Sequence, residues 1–196
     1  AMRFVLTTLL VTLLSIHTSA QFQPSRIDIV RDSMGVPHIF APTDPEVAYG
    51  LAWAAAEDDF FTIQESLITG KALSGIYKGK SGAQTDYVIH VMGIPELVQA
   101  RYETDLSPAF KKLLEGYCAG LNAFAKAHPK EVLLKKAFPI TPQDMVQYSV
   151  LQLCVLSGAD RALSSIFKGT VPVLPQLKPG GSNAFAFNSK KTADGN

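Results

Sequence analysis

Pro179-Gly180-Gly181-Ser182-Asn183-Ala184-Phe185-Ala186-Phe187-Asn188 places a serine directly after two glycines and at the head of an alternating run. The alternation reads as a strand. Ser182, Ala184 and Ala186 fall on one face, while Phe185 and Phe187 fall on the other and point to a core. Gly181 permits the strained backbone that an attack by the Ser182 hydroxyl on the preceding carbonyl requires. Such an attack cuts the chain between Gly181 and Ser182 and leaves the serine with a free α-amine. An N-terminal serine of this kind carries its own base, so its activation needs no separate histidine. The reference pKa of that amine, about 7.7–8.0, leaves a sizeable share unprotonated at neutral pH.

Upstream of this junction, Lys168 to Gly181 holds Pro172, Pro175 and Pro179 and has no helical period. It reads as an exposed connector, as a cleavable spacer must be. At the other end, Arg3 precedes the apolar run from Phe4 to Ile16, and His17-Thr18-Ser19-Ala20 supplies small residues before a break. These are the parts of a secretory signal covering residues 1–20, with cleavage between Ala20 and Gln21. The run is too short to span a bilayer, and no other segment of the sequence could, so no membrane span is expected once the signal is removed. A periplasmic or secreted location follows.

Between these ends the pattern is mixed. Arg26 to Asp32 alternates as a strand, Ser33-Met34-Gly35 makes a turn, and Val36 to Ala41 is a second extended piece. Three helices open alike, with Asp44, Ser107 and Thr141 each set as a cap before a proline. The first is expected from Pro45 to Thr69, with Val47, Leu51, Ala54 and Phe61 inward. The second carries Phe110, Leu113, Leu114, Tyr117, Leu121 and Phe124, and the third Met145, Tyr148, Leu151, Val155 and Leu156. Gly70 to Asp86 reads as a loop.

The chain has 18 basic and 17 acidic residues and lacks a basic cluster that stands out, so nucleic acid is not an expected partner. Cys118 and Cys154 show no metal-ligand spacing. A bridge between them is open, and two separate buried thiols are the simpler account. Glu57-Asp58-Asp59 cannot converge on one site, because helix neighbours point about 100° apart. Asp58 shares the Leu51 stripe and is expected to turn inward onto a partner such as Arg31 or Arg101. His38 reads as a structural, hydrogen-bonded residue. Trp53 either packs on the sheet or lines a pocket. Lys168-Gly169-Thr170 looks like the end of a phosphate loop without the upstream glycine.

Three stretches resemble the penicillin acylase group of N-terminal nucleophile hydrolases. Arg31-Asp32-Ser33-Met34-Gly35-Val36-Pro37-His38-Ile39 is similar to the entry of the family's α subunit. Tyr49 to Gln64, with its Ala-Glu-Asp core, is similar to the helix that follows. Gly181-Ser182-Asn183-Ala184, with Ser189-Lys190-Lys191-Thr192, is similar to the start of the β subunit. The Glu-Asp-Asp wording leans towards the acyl-homoserine lactone and aculeacin acylase branch.

The resemblance implies an α+β chain, the helix-rich N-terminal part of an α-β-β-α sandwich. Residues 21–168 are then the α-subunit region, 169–181 the spacer and 182–196 the start of the β subunit. It implies a zymogen cut by itself into a heterodimer. Ser182 takes the acyl group of a small N-acyl amide and passes it to water. The chemistry requires no cofactor. A structural calcium is implied by the family alone, with Asp160 the nearest guess at a ligand and no matched set. The family's oxyanion-hole donors lie deeper in the β subunit, so the 196 residues by themselves are not expected to catalyse. The rival reading from another class is a non-catalytic exported binding protein; within the class, an acylase for β-lactam or bile-type amides stays open.

Overall fold

The computed structural model describes residues 22–170. The signal region 1–20, the Ala20–Gln21 junction, the spacer from residue 171, Gly181, Ser182 and the β-subunit start lie outside the described residues. Two compact units divide the chain, one ending at Leu153 and the other beginning at Cys154.

A 3-10 turn, Pro24–Arg26, leads into β1 (Asp28–Arg31) and β2 (Pro37–Phe40). The strands pair antiparallel, with Ile29 opposite Ile39 and Arg31 opposite Pro37. The turn between them is built by Asp32, whose Oδ1 accepts from the backbone N–H groups of Met34 at 2.9 Å and Val36 at 3.0 Å. Gly35 stands at φ +83°, where a side chain would be strained. The period of two is plain: Ile27, Ile29, Pro37 and Ile39 are half-buried, whereas Val30 and Phe40 are exposed.

The long helix α1 (Asp44–Gly70) underlies this hairpin. Its cap is Thr43 rather than Asp44: the Thr43 hydroxyl accepts from the Glu46 N–H at 3.4 Å and donates to the Glu46 carboxylate at 2.9 Å. Gly50 lets the hairpin settle onto α1, since a Cβ there would lie 2.7 Å from Ile39 Cγ2 and 2.9 Å from Ile27 Cγ2. Asp59, at φ −156° and ψ 71°, breaks the helical path, and its carboxylate accepts from the Thr62 N–H at 3.0 Å. In effect Asp59 caps a second helix. The expected inner face is only partly right: Ala54 is buried, but Leu51 and Phe61 are about half exposed, and Ala48, Ala52, Ala56 and Phe60 are buried instead.

Short helices α2 (Ser74–Lys78) and α3 (Lys80–Val91) occupy the expected loop, and α4 (Ile94–Asp105) follows. The Asp86 carboxylate accepts from the Ser74 and Gly75 N–H groups at 2.9 and 2.7 Å. A cap supplied from a helix and a half away leaves no local signal, which is why glycine and serine content misled the sequence reading. Helix α5 (Pro108–Ala127) is capped by Ser107 as expected, its hydroxyl accepting from the Phe110 N–H at 3.2 Å.

Helices α1 and α5 form the most extensive helix pair among the described residues. Gly116 faces Pro45, Gly120 faces Tyr49 and Ala52, and Phe124 faces Trp53 and Phe60, so the two helices run in the same direction. Two glycines on α5 and alanines on α1 bring the backbones into close approach, and the aromatic edges fill the far end. A second cluster, Ile89, Ile94, Val98, Tyr102 and Leu114, packs against Met145 and Val146 of α6 (Pro142–Leu156).

Lys71, at the end of α1, reaches Asp144 in the first turn of α6, with Nζ 2.6 Å from Oδ2 and both side chains mostly buried. Asp144 also accepts from the Thr141 N–H at 2.8 Å, and Thr141 accepts in return from the Asp144 N–H at 3.3 Å. This is a capping box carrying a buried charge pair. Lys71→Met leaves that carboxylate with its N–H partner alone and is expected to cost about 2–3 kcal/mol, read as a lower urea midpoint at unchanged slope.

In the second unit, α7 (Ala159–Phe167) ends with Gly169 at φ +68°. The Gly169 N–H donates to Ile166 O and the Thr170 N–H to Ser165 O, each at 2.9 Å. That is a glycine-terminated helix end, so Lys168-Gly169-Thr170 is a cap and not a phosphate loop. The described residues are thus helix-rich with one two-stranded sheet; the full sandwich is not among them.

Candidate functional site

The hairpin and α1 bring the first two motif stretches together through Arg31. Its Nη2 lies 2.9 Å from Asp58 Oδ1 and 3.2 Å from Glu57 Oε2, and it donates to the Ala54 carbonyl at 3.3 Å. Nη1 donates to Gly35 O at 2.9 Å, tying the guanidinium back to its own turn. The two carboxylates, Asp58 first, raise the Arg31 pKa further above its ordinary value. Asp58 therefore has the expected partner in Arg31, but not the expected orientation: its side chain is exposed, because the hairpin turn brings the arginine out to the helix surface. The neighbours Glu57 and Asp58 straddle one guanidinium, a geometry suited to its fork of donors. Asp59 takes no part and serves as the inner cap.

Trp53 connects this cluster to the interior. Its indole N–H donates to Glu57 Oε1 at 2.9 Å, and its ring meets Phe124 edge-on at 5.2 Å. It also lines a small cleft with Pro24, Ile27, Ile29 and Tyr49, the second of the two roles its sequence position left open. His38 is the hydrogen-bonded structural residue expected: Nε2 lies 3.1 Å from Asp32 Oδ2.

The hydrogen bond to His38, followed by those from the Val36 and Met34 N–H groups, holds the Asp32 carboxyl below the ordinary aspartate range. A carboxylate depressed in the folded state stabilises it above the unfolded pKa, and that contribution disappears as pH falls through the folded value. The hairpin is therefore expected to loosen on acidification below about pH 4. Amide exchange of Met34 and Val36 measures this, and it should accelerate in acid beyond the intrinsic trend, whereas Asp32→Asn should remove the extra acceleration.

Chemically, the described cluster is a network of ion pairs and hydrogen bonds; it contains no nucleophile with a base. Cys118 is buried, and burial pushes its thiol up to about 12, so it is inert at neutral pH. Cys118 and Cys154 are both free thiols. Among the described residues no three His, Cys, Asp or Glu side chains gather to hold a metal ion, and the side chain of Asp160 is outside those described. No described helix is long and apolar enough to cross a membrane. Sequence reasoning missed the Thr43–Glu46 and Asp86 caps and the Lys71–Asp144 pair. Of these only Thr43, three residues before Glu46, left a local signal.

A family profile described as Penicillin amidase matches residues 26–196. The chain belongs to the penicillin amidase family. The match includes the Arg31 turn, the Glu57-Asp58 helix and the Gly181–Ser182 junction. Penicillin G acylase of Escherichia coli is 28% identical over 152 residues, covering 75% of this chain and 18% of that relative. Acyl-homoserine lactone acylase PvdQ of Pseudomonas fluorescens is 25% identical over 169 residues, 80% of this chain and 22% of its own length. The chain thus spans about a fifth of the length of the curated relatives it matches. In fold, it is similar to a solved thermostable penicillin G acylase from Alcaligenes faecalis, with a TM-score of 0.56 and 21% identity over 82% of this chain and 98% of that one.

Proposed function

We propose that this chain is the N-terminal portion of a self-processing N-acyl amide hydrolase whose nucleophile is Ser182. The observation that carries the reading is the Gly181–Ser182 junction, set between a proline-rich stretch and a run of alternating sequence and lying inside the family match. The precursor is cut at that junction, giving an α subunit from Gln21 through about Lys168, a trimmed spacer and a β subunit beginning at Ser182.

The Ser182 hydroxyl attacks the amide carbonyl of a bound substrate. Its own α-amine accepts the hydroxyl proton and returns it to the departing amine. The resulting ester is then opened by water, which the same amine deprotonates, releasing a carboxylic acid. No cofactor enters this sequence. The substrate class is a small N-acylated amine, with N-acyl homoserine lactones and penicillin-type side-chain amides as the two candidates that the relatives' names suggest. Oxyanion donors, which each typically lower the barrier by about 2.7–4 kcal/mol, come from the β subunit in this scheme. A calcium ion held between the subunits is a structural addition to the same proposal.

The hairpin supports the scheme independently. Among the described residues both of its strands are edges, and Val30 and Phe40 stand exposed on its outer face. Open edges bearing apolar side chains require further strands, and the run from Ser182 has the composition to supply one. Export to the periplasm or medium removes residues 1–20 in this reading.

Mass and N-terminal sequencing of the purified product of the complete reading frame test the proposal. Two polypeptides are expected, the smaller beginning at Gln21 and the larger at Ser182. A product that stays whole overturns self-processing, and one cut elsewhere removes Ser182 from its role.

A further inference from the structure

A cleft of about 380 Å³ opens beside the C-terminal end of α5, at the lower end of the range for small-molecule sites. Its walls are apolar, with Ala125, Val132, Phe138 and Pro139 among them, and Lys126 and Lys135 belong to its lining. Lys130 and Lys136 are sequence neighbours of lining residues. Between residues 116 and 143 these four lysines face one carboxylate, Glu131. All four are exposed, and none of their side chains makes a hydrogen bond or ion pair with a described residue, as holds also for Lys80 and Lys112, whereas Lys71, Lys78 and Lys111 are each paired.

The wall is held in place before any ligand arrives. Gln64, buried on α1, donates to Glu131 O at 3.0 Å and accepts from the Leu133 N–H at 2.8 Å. Asn122 donates to Ile140 O at 2.9 Å and accepts from the Ile140 N–H at 2.7 Å. Each amide closes a two-way clamp on the loop, one around Val132 and the other just beyond Pro139. Side-chain amides satisfied in this way fix a backbone that has no regular structure of its own.

We propose that this cleft binds a small apolar carboxylate, with the hydrocarbon part against Phe138 and Val132 and the carboxylate at Lys126 and Lys135. The unpaired positive charge selects an anion, and the apolar walls select one with a hydrocarbon body. Lysine suits a singly charged group as a point charge, and no arginine lies between residues 102 and 160 to offer the fork that phosphate recognition favours. The proposal stands apart from the Ser182 reading and survives its failure. Should both hold, the acid released by hydrolysis belongs to the class this cleft accepts.

The full-length gene product titrated calorimetrically with octanoate, with acetate and 1-octanol in parallel, decides the matter. Octanoate is expected to bind saturably and more tightly than either control. The exposed double substitution Lys126→Gln/Lys135→Gln should weaken it roughly three- to tenfold, and Lys112→Gln, on the exposed side of α5, should not. Any octanoate bound at another site cancels in the difference between wild type and the double variant. Equal affinity in wild type and the double variant overturns the proposal. So does lysine-dependent binding to phosphatidylglycerol vesicles with no response to octanoate, which would make the patch a membrane contact instead.

Discussion

Replacing Ser182 by alanine in the complete reading frame is expected to yield one uncut polypeptide with no measurable amide hydrolysis. In the proposed scheme the same oxygen opens the Gly181–Ser182 peptide and later carries the acyl group, so one substitution removes both events. Loss of a nucleophile from a covalent mechanism lowers kcat by about a millionfold, leaving only what binding and oxyanion donors contribute. Ser182→Cys separates the two roles. A thiol is intrinsically more nucleophilic, so the chain should still be cut, while turnover of an amide falls because the oxygen-tuned geometry is disturbed. Mass of the purified product and release of free amine from an N-acyl substrate read the two outcomes separately. Activity persisting in the alanine variant would mean that the nucleophile lies elsewhere.

The second large effect concerns the α1–α5 crossing. Gly116→Val is expected to prevent folding or to lower stability by more than about 3 kcal/mol. A Cβ at Gly116 falls on the Pro45 carbonyl oxygen and lies 2.7 Å from its carbon. Neither atom belongs to a flexible side chain, so a helix has to move. Helix propensity works the other way, because removing a mid-helix glycine gains up to about 1 kcal/mol. Clash outweighs propensity here, and the sign of the result is therefore informative. Lys112→Ala, about one turn away on the same helix and exposed, provides the control and should change the melting temperature little. If Gly116→Val melts with the wild type, the close approach of these two helices is wrong.

The parts of the fold legible in the sequence were those whose causes are local. Ser107 before Pro108 and Thr141 before Pro142 carry their own capping chemistry, and α5 and α6 start where that chemistry says. The hairpin announced itself by alternation between Arg26 and Ala41. Parts decided by distant partners were not legible. Asp86 organises Ser74 and Gly75 from across a turn, so a helical segment read as loop. Asp59 looked like one more acidic residue in a helix, yet its backbone leaves the helical region and its carboxylate caps the stretch that follows. For the site, the partnership of Arg31 with Asp58 was read correctly, and its burial was not. An alternating hairpin shows that a side chain leaves one face, but not how far the strand end projects past the helix beneath it.

The interruption at Asp59 has one more consequence. A continuous rod of 27 residues would transmit any rotation along its whole length. Because Asp59 caps the stretch beyond it, the part of α1 that carries the hairpin and the part that carries Gln64 meet at a joint set by one side chain.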